Sequence, residues 1–147
     1  MRKLVILVVL ALLGLVASTG QATAADITVF TVKLAPTGDP NGSGVAVLRV
    51  DQVNSQVCYE IVVRNIGEPV EPVAGIGSAH IHAMPAGGVF INLLTDFRST
   101  GADVYVATGC VSATEEQLEA ILADPSQYYV NVHTVAAPGG AIQGSLG

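Results

Sequence analysis

An all-β fold, a Greek-key sandwich or barrel of about seven or eight strands with one short helix, is what this sequence predicts. Three observations carry the prediction. β-Branched runs alternate with period 2, clusters of turn formers separate them, and a single helix-start signature interrupts the pattern near residue 114.

The chain opens on Met1-Arg2-Lys3, then an apolar run of 14 residues, Leu4–Ala17, then small and polar residues ending Gln21-Ala22-Thr23-Ala24. A basic start, a short apolar stretch and an A-x-A site mark residues 1–24 as a secretory signal peptide cut after Ala24. The run is shorter than the ~20 residues of a spanning helix, so no stable membrane anchor is expected after cleavage. Residues 25–147 then form a single mature domain, long enough for one core and too short for two. Arg2 and Lys3 leave with the signal, and Lys33, Arg49, Arg64 and Arg98 remain against twelve acids, a net charge of −8. Nucleic acid and anionic membranes require clustered Lys and Arg, so neither is an expected partner. Acidity of this kind attracts cations; it also serves plain solubility.

Each element follows from its own pattern. Ile27–Leu34 alternates within a generally apolar run, as a strand covered on one face and partly on the other does. Pro36–Gly44 is dense in Pro, Gly, Asp and Asn and reads as a surface loop. Val45–Val50 and Val57–Val63 are β-branched runs flanking Asp51-Gln52-Val53-Asn54-Ser55, which makes a hairpin. In its second arm Val57, Tyr59, Ile61 and Val63 share one face, Cys58 and Glu60 the other. Pro69 and Pro72 exclude Gly67–Pro72 from a central strand. Strands resume at Ser78–Ala83, Val89–Leu93 and Asp103–Ala107. Thr114 with Gln117 three residues on forms a capping-box signature, Leu118, Ile121 and Leu122 line one helix face, and Pro125 stops the helix. Tyr128–Val135 and Ala141–Leu146 close the chain as strands around Ala137-Pro138-Gly139-Gly140.

Cys58 and Cys110 are the two cysteines. In an exported chain an even count reads as one disulfide; the alternative is two buried thiols. All three histidines fall on predicted strands. His80 and His82 are two apart and share a face, opposite Ala79, Ile81 and Ala83. His133 shares a face with Asn131, opposite Val130 and Val132. Both sets are expected to look out of the core, where adjacent strands can bring them together. Three neutral imidazoles with an open position suit copper or zinc. Met84, two residues past His82, adds a thioether on that face if the strand continues so far. The plainer reading is half-exposed polar residues on strand surfaces. No residues are assigned to catalysis or to an organic cofactor. Ser78 near His80 lacks an orienting third group, and the glycine pairs lack the Lys and helix of a phosphate loop.

Ala79-His80-Ile81-His82, Gly88–Leu93, Gly109-Cys110-Val111, Tyr128–Thr134 and Gly139–Leu146 together resemble the CHRD domain, a module named from a developmental signalling antagonist and widespread in exported microbial proteins. The resemblance spans roughly residues 26–147. It implies an all-β fold, an extracellular or cell-envelope setting, and a binding or structural role with no established enzymatic activity. One departure is Gly140-Ala141-Ile142-Gln143-Gly144, where the family tends towards a Glu and an Arg; a partner role resting on that charged pair does not carry over. More distantly, His80, His82 and His133 resemble in order and spacing the copper ligands of the Cu/Zn superoxide dismutase barrel. The bridging histidine, the zinc ligands and the channel arginine of that enzyme have no counterparts here. The sequence therefore points first to an exported, non-enzymatic binding or structural domain for an unknown extracellular protein or ligand. The alternative is an extracytoplasmic copper (or zinc) protein using the three histidines, without dismutase activity.

Overall fold

The computed structural model describes residues 27–69, 77–85 and 87–147. The signal segment 1–24 and part of the predicted proline loop, 70–72, lie outside them.

Among the described residues nine strands and one α-helix form in the order β1 (Ile27–Pro36), β2 (Ser43–Asp51), β3 (Gln56–Arg64), β4 (Ala79–Ala83), β5 (Val89–Asn92), β6 (Arg98–Gly101), β7 (Val104–Ser112), α1 (Glu115–Ala123), β8 (Tyr128–Val132) and β9 (Ile142–Ser145). A 3₁₀ turn, Pro125–Gln127, joins α1 to β8. The strands hydrogen-bond in the order β5-β4-β8-β9-β1-β2-β3-β7-β6, antiparallel throughout, and curl into a half-barrel. The all-β expectation with one short helix holds.

β1 links the two halves of the sheet. Its first eight residues pair with β2, from Ile27 opposite Asp51 to Leu34 opposite Gly44. Its last two, Ala35 and Pro36, pair with β9. One half thus holds β2, β3, β7 and β6, and the other holds β9, β8, β4 and β5. The concave interior is filled by the alternate residues that the period-2 pattern selects. Val32 and Leu34 of β1, Leu48 of β2, Ile61 of β3, Ile81 of β4 and Ile142 of β9 are all essentially inaccessible. Each such side chain contributes roughly 1.5–3 kcal/mol by leaving water.

The expected β2–β3 hairpin forms, with Val50 opposite Val57, and the Asp51 carboxylate organises its turn. It accepts the backbone N–H of Asn54 at 3.0 Å and the Asn54 side-chain amide at 2.7 Å. These hydrogen bonds hold the carboxyl below its ordinary pKa. Helix α1 begins at Thr114, whose hydroxyl accepts from the Gln117 N–H while the Gln117 side chain accepts from the Thr114 N–H. The Gln117 amide also donates to the Phe90 carbonyl at 2.6 Å, tying the helix to β5. Leu118 and Ile121 are the buried residues of its apolar face.

Cys58 and Cys110 are bonded and directly opposite one another on β3 and β7. They lie on the face away from the core, since Val57, Tyr59 and Ile61 point inward. β7 runs to Ser112, five residues past the predicted end at Ala107. Gly109 lies within this extension because Tyr59 of β3 packs over it: a Cβ there would come 2.5 Å from the phenol oxygen. β6 was not expected from the sequence. It is the outer strand of one half, as β5 is of the other; each is four residues long, and each pairs with its neighbour through a register shift. Among the described residues no helix is long and apolar enough to cross a membrane.

Candidate metal centre

β4 and β8 pair side by side, with Ala79 opposite Val132, His80 opposite Asn131 and His82 opposite Tyr129. Ala79, Ile81, Val130 and Val132 enter the core. His80 and His82 therefore project from the other face of β4, and Tyr129 and Asn131 from the same face of β8. His133 follows β8 directly, and its backbone N–H donates to the Ser78 carbonyl at 2.9 Å, which extends the pairing to this residue. The three histidines meet as the sequence anticipated. One ring nitrogen from each lies within 4.8 Å of the others.

This face points away from the core as expected, but the reading of half-exposed surface residues needs correcting. His80 is 1% exposed and His133 5%, so they are not half-exposed surface residues. Over Asn131 and His133 the cover comes from the chain after His133, which folds back over the sheet. Ala141 N–H donates to the Val132 carbonyl at 2.7 Å, and the Ala141 carbonyl accepts from Thr37, Gly38 and Asp39. The returning segment sets its own carbonyls on the site: Asn131 donates to the Gly139 carbonyl at 3.2 Å and His133 to the Pro138 carbonyl at 2.9 Å. Gly140, at φ 125°, admits no side chain, because a Cβ would run into the Asn131 amide.

Carbonyl partners fix which nitrogens carry hydrogen. A carbonyl only accepts, so His133 Nδ1 is the protonated nitrogen facing Pro138, and Nε2 keeps its lone pair. His82 Nδ1 likewise donates to the Gly87 carbonyl at 3.1 Å, leaving a lone pair on Nε2. His80 Nδ1 lies 3.1 Å from His133 Nε2 and is its hydrogen donor in the metal-free protein. His82 Nε2 is buried and has no hydrogen-bond partner. An unsatisfied buried acceptor costs about 1–3 kcal/mol. Tyr129 lies flat on the His82 ring, 5.2 Å between centroids and 14° between planes, and holds it in place. Sequence reasoning missed Tyr129 and the carbonyls of Gly87 and Pro138; the His82–Tyr129 cross-strand pairing is the signal that points to the first.

Desolvation lowers the His133 pKa from its ordinary value; the Pro138 carbonyl opposes the shift, and His82 adds to it. His133 therefore stays neutral at pH values where a free imidazole is protonated. The sign follows from linkage. Between the lowered folded pKa and the ordinary one, the unfolded chain binds the proton and the folded chain does not. This residue's contribution to stability is thus complete above the ordinary imidazole range and is lost as pH falls through the folded value. NMR titration of the metal-free protein should place the His133 ring protons below the usual midpoint of ~6.5. A midpoint at or above that value refutes the assignment.

Ser78, considered as a nucleophile, is spoken for: its hydroxyl lies 3.1 Å from that of Thr95, in a buried pair. Strand β4 ends at Ala83, so the condition that the strand itself carry Met84 is not met, and Met84 is half-exposed at the start of the following turn. No curated protein and no solved structure matches the chain. The family model of the CHRD domain matches residues 21–146, nearly the whole length, a span that includes His80, His82 and His133 of this chain. By that match the chain belongs to the CHRD domain family.

Proposed function

We propose that this protein is an exported metal-binding domain, with copper as first ligand and zinc second, held by His80, His82 and His133. The observation that carries the reading is the His82 Nε2 lone pair, buried without a partner beside two further imidazoles. Three nitrogens around one metal at ~2.0–2.1 Å sit roughly 3.3–3.6 Å apart, so closing the cluster from 4.8 Å takes a shift of under ~1 Å per ring. Both Nδ1–H groups donated to carbonyls are the usual outer contacts of ligating histidines. An all-imidazole donor set suits copper and zinc.

A metal held by His133 Nε2 would displace the hydrogen that His80 Nδ1 donates to it, since one lone pair cannot serve both. The residues of the site bind and orient; among the described residues they do not assemble into a nucleophile and base. A binding role is also what family membership supports. The same membership is consistent with an extracytoplasmic location, and the Cys58–Cys110 bond suits an oxidising compartment. Export through cleavage after Ala24, leaving residues 25–147 as the mature domain, completes this reading.

Isothermal titration tests it. The wild-type protein should take one equivalent of copper near neutral pH and lose it as pH falls through the imidazole range, while a triple His→Ala variant takes none. Equal copper uptake by both proteins removes the site.

A further inference from the structure

We infer that the three-histidine site receives copper in its cuprous state and that Met84 is the ligand that meets it first. This rests on the metal reading above and adds the oxidation state and the route. His80 and His133 are buried, whereas His82 is half-buried, so an ion approaches the cluster from the His82 side. On that side the His82 ring is stacked on Tyr129. Tyr129 in turn walls an open groove of about 310 Å³ that also exposes Met84. Although β4 ends at Ala83, the Met84 N–H donates to the Gln127 carbonyl at 2.7 Å, extending the contact with the neighbouring chain by one residue. Met84 thus stands at the groove's edge, two residues past His82 and 51% exposed.

The donors available in this groove discriminate between ions. The Met84 thioether is soft, never protonated, and binds Cu(I) in preference to Zn(II). The other polar side chains lining the groove, Thr37, Tyr129, Gln143 and Ser145, are neutral hydroxyls and an amide. With no carboxylate among its lining residues, the groove has nothing to capture a divalent ion, but it can capture cuprous copper. The site beyond it favours the same ion on electrostatic grounds. Its three ligands are neutral imidazoles, and among the described residues no Asp, Glu or Cys joins the cluster. A monovalent ion leaves one uncompensated charge there and a divalent ion two, and desolvation opposes the second more strongly. Transfer is ligand exchange without electron movement: Cu(I) leaves its carrier for the thioether sulfur, then the sulfur for the imidazole lone pairs.

The test mixes the protein, under ascorbate, with the Cu(I) complex of bicinchoninate and follows the fading of the complex's colour. Wild type should withdraw one equivalent. Met84→Leu, which keeps size and apolarity at an exposed position, should withdraw the same amount about tenfold more slowly, while Zn(II) uptake is equal in both. Equal Cu(I) rates overturn the role of Met84. Tight binding of Zn(II) or Cu(II) with Cu(I) left on the chelator overturns the oxidation state and leaves the metal site standing. A wild type that takes no metal, like its triple His→Ala variant, overturns this inference together with the reading beneath it.

Discussion

His82→Ala is expected to abolish tight copper binding while changing the stability of the metal-free protein by no more than about 1 kcal/mol, whereas His80→Ala should abolish binding and also destabilise by about 2–4 kcal/mol. The two ligands differ in what they do before metal arrives. His82 is half-buried and contributes one hydrogen bond to Gly87 and the stack on Tyr129. Against these it carries a buried nitrogen with no partner, so truncation removes a cost along with the contacts. His80 is fully buried and supplies the hydrogen that satisfies His133 Nε2. Its loss opens a cavity and leaves that nitrogen unpaired. Chemical unfolding with and without copper reads both effects at once, because a ligand at a hundred times its Kd adds about 2.7 kcal/mol of stability. Copper should stabilise wild type and neither variant. Stabilisation of His82→Ala to the wild-type extent excludes His82 as a ligand.

Replacing both cysteines, Cys58→Ser with Cys110→Ser, is expected to cost about 4 kcal/mol and to lower Tm by roughly 15 °C or more. The bond spans a sequence separation of 52 residues. The enclosed segment contains β4, β5 and β6, so it leaves one half of the sheet, builds two strands of the other, and returns. Without the bond the unfolded chain regains the freedom of that whole excursion. The cysteines pack on the outer face, so the double serine variant leaves no hole in the core. Thermal melts of the purified variant beside wild type measure the difference. A loss under 1 kcal/mol shows that pairing of β3 with β7 already restricts the unfolded chain.

Much of this was legible in the sequence, and the exceptions have identifiable causes. Period-2 alternation placed His80 and His82 on one side of a strand because Ala79 and Ile81 had to be on the other. The helix was read to its first residue because Thr114 and Gln117 cap each other locally, without help from the rest of the fold. The burial of His80 and His133 could not be read. Over His133 it comes from backbone returning over the sheet at Pro138–Ala141, and a turn-forming segment does not announce what it covers. β6 gave no signal since Arg98, Ser99, Thr100 and Gly101 are all exposed and have no apolar alternation to show. The length of β7 was hidden by Gly109, a residue that breaks most strands and here makes room for Tyr59. Pattern reveals which side of an element faces the core; contacts between elements distant in sequence decide the rest.

The two outer strands have a consequence for how this protein meets other copies of itself. A half-barrel does not close, so among the described residues β6 keeps one row of peptide N–H and C=O groups unpaired within the sheet, while on β5 the Phe90 carbonyl is taken by Gln117. Such rows template the addition of foreign strands, and long flat ones seed fibrils. Here the β6 row offers four residues, about 13 Å of ladder, next to a register shift that twists it. Arg98 adds a charge to the β6 row, and every residue there is solvated. An incoming strand would gain a few hydrogen bonds and no apolar strip to lie on. At high concentration the folded protein should therefore resist edge-to-edge polymerisation, and aggregation, where it occurs, must begin from chains that have already unfolded.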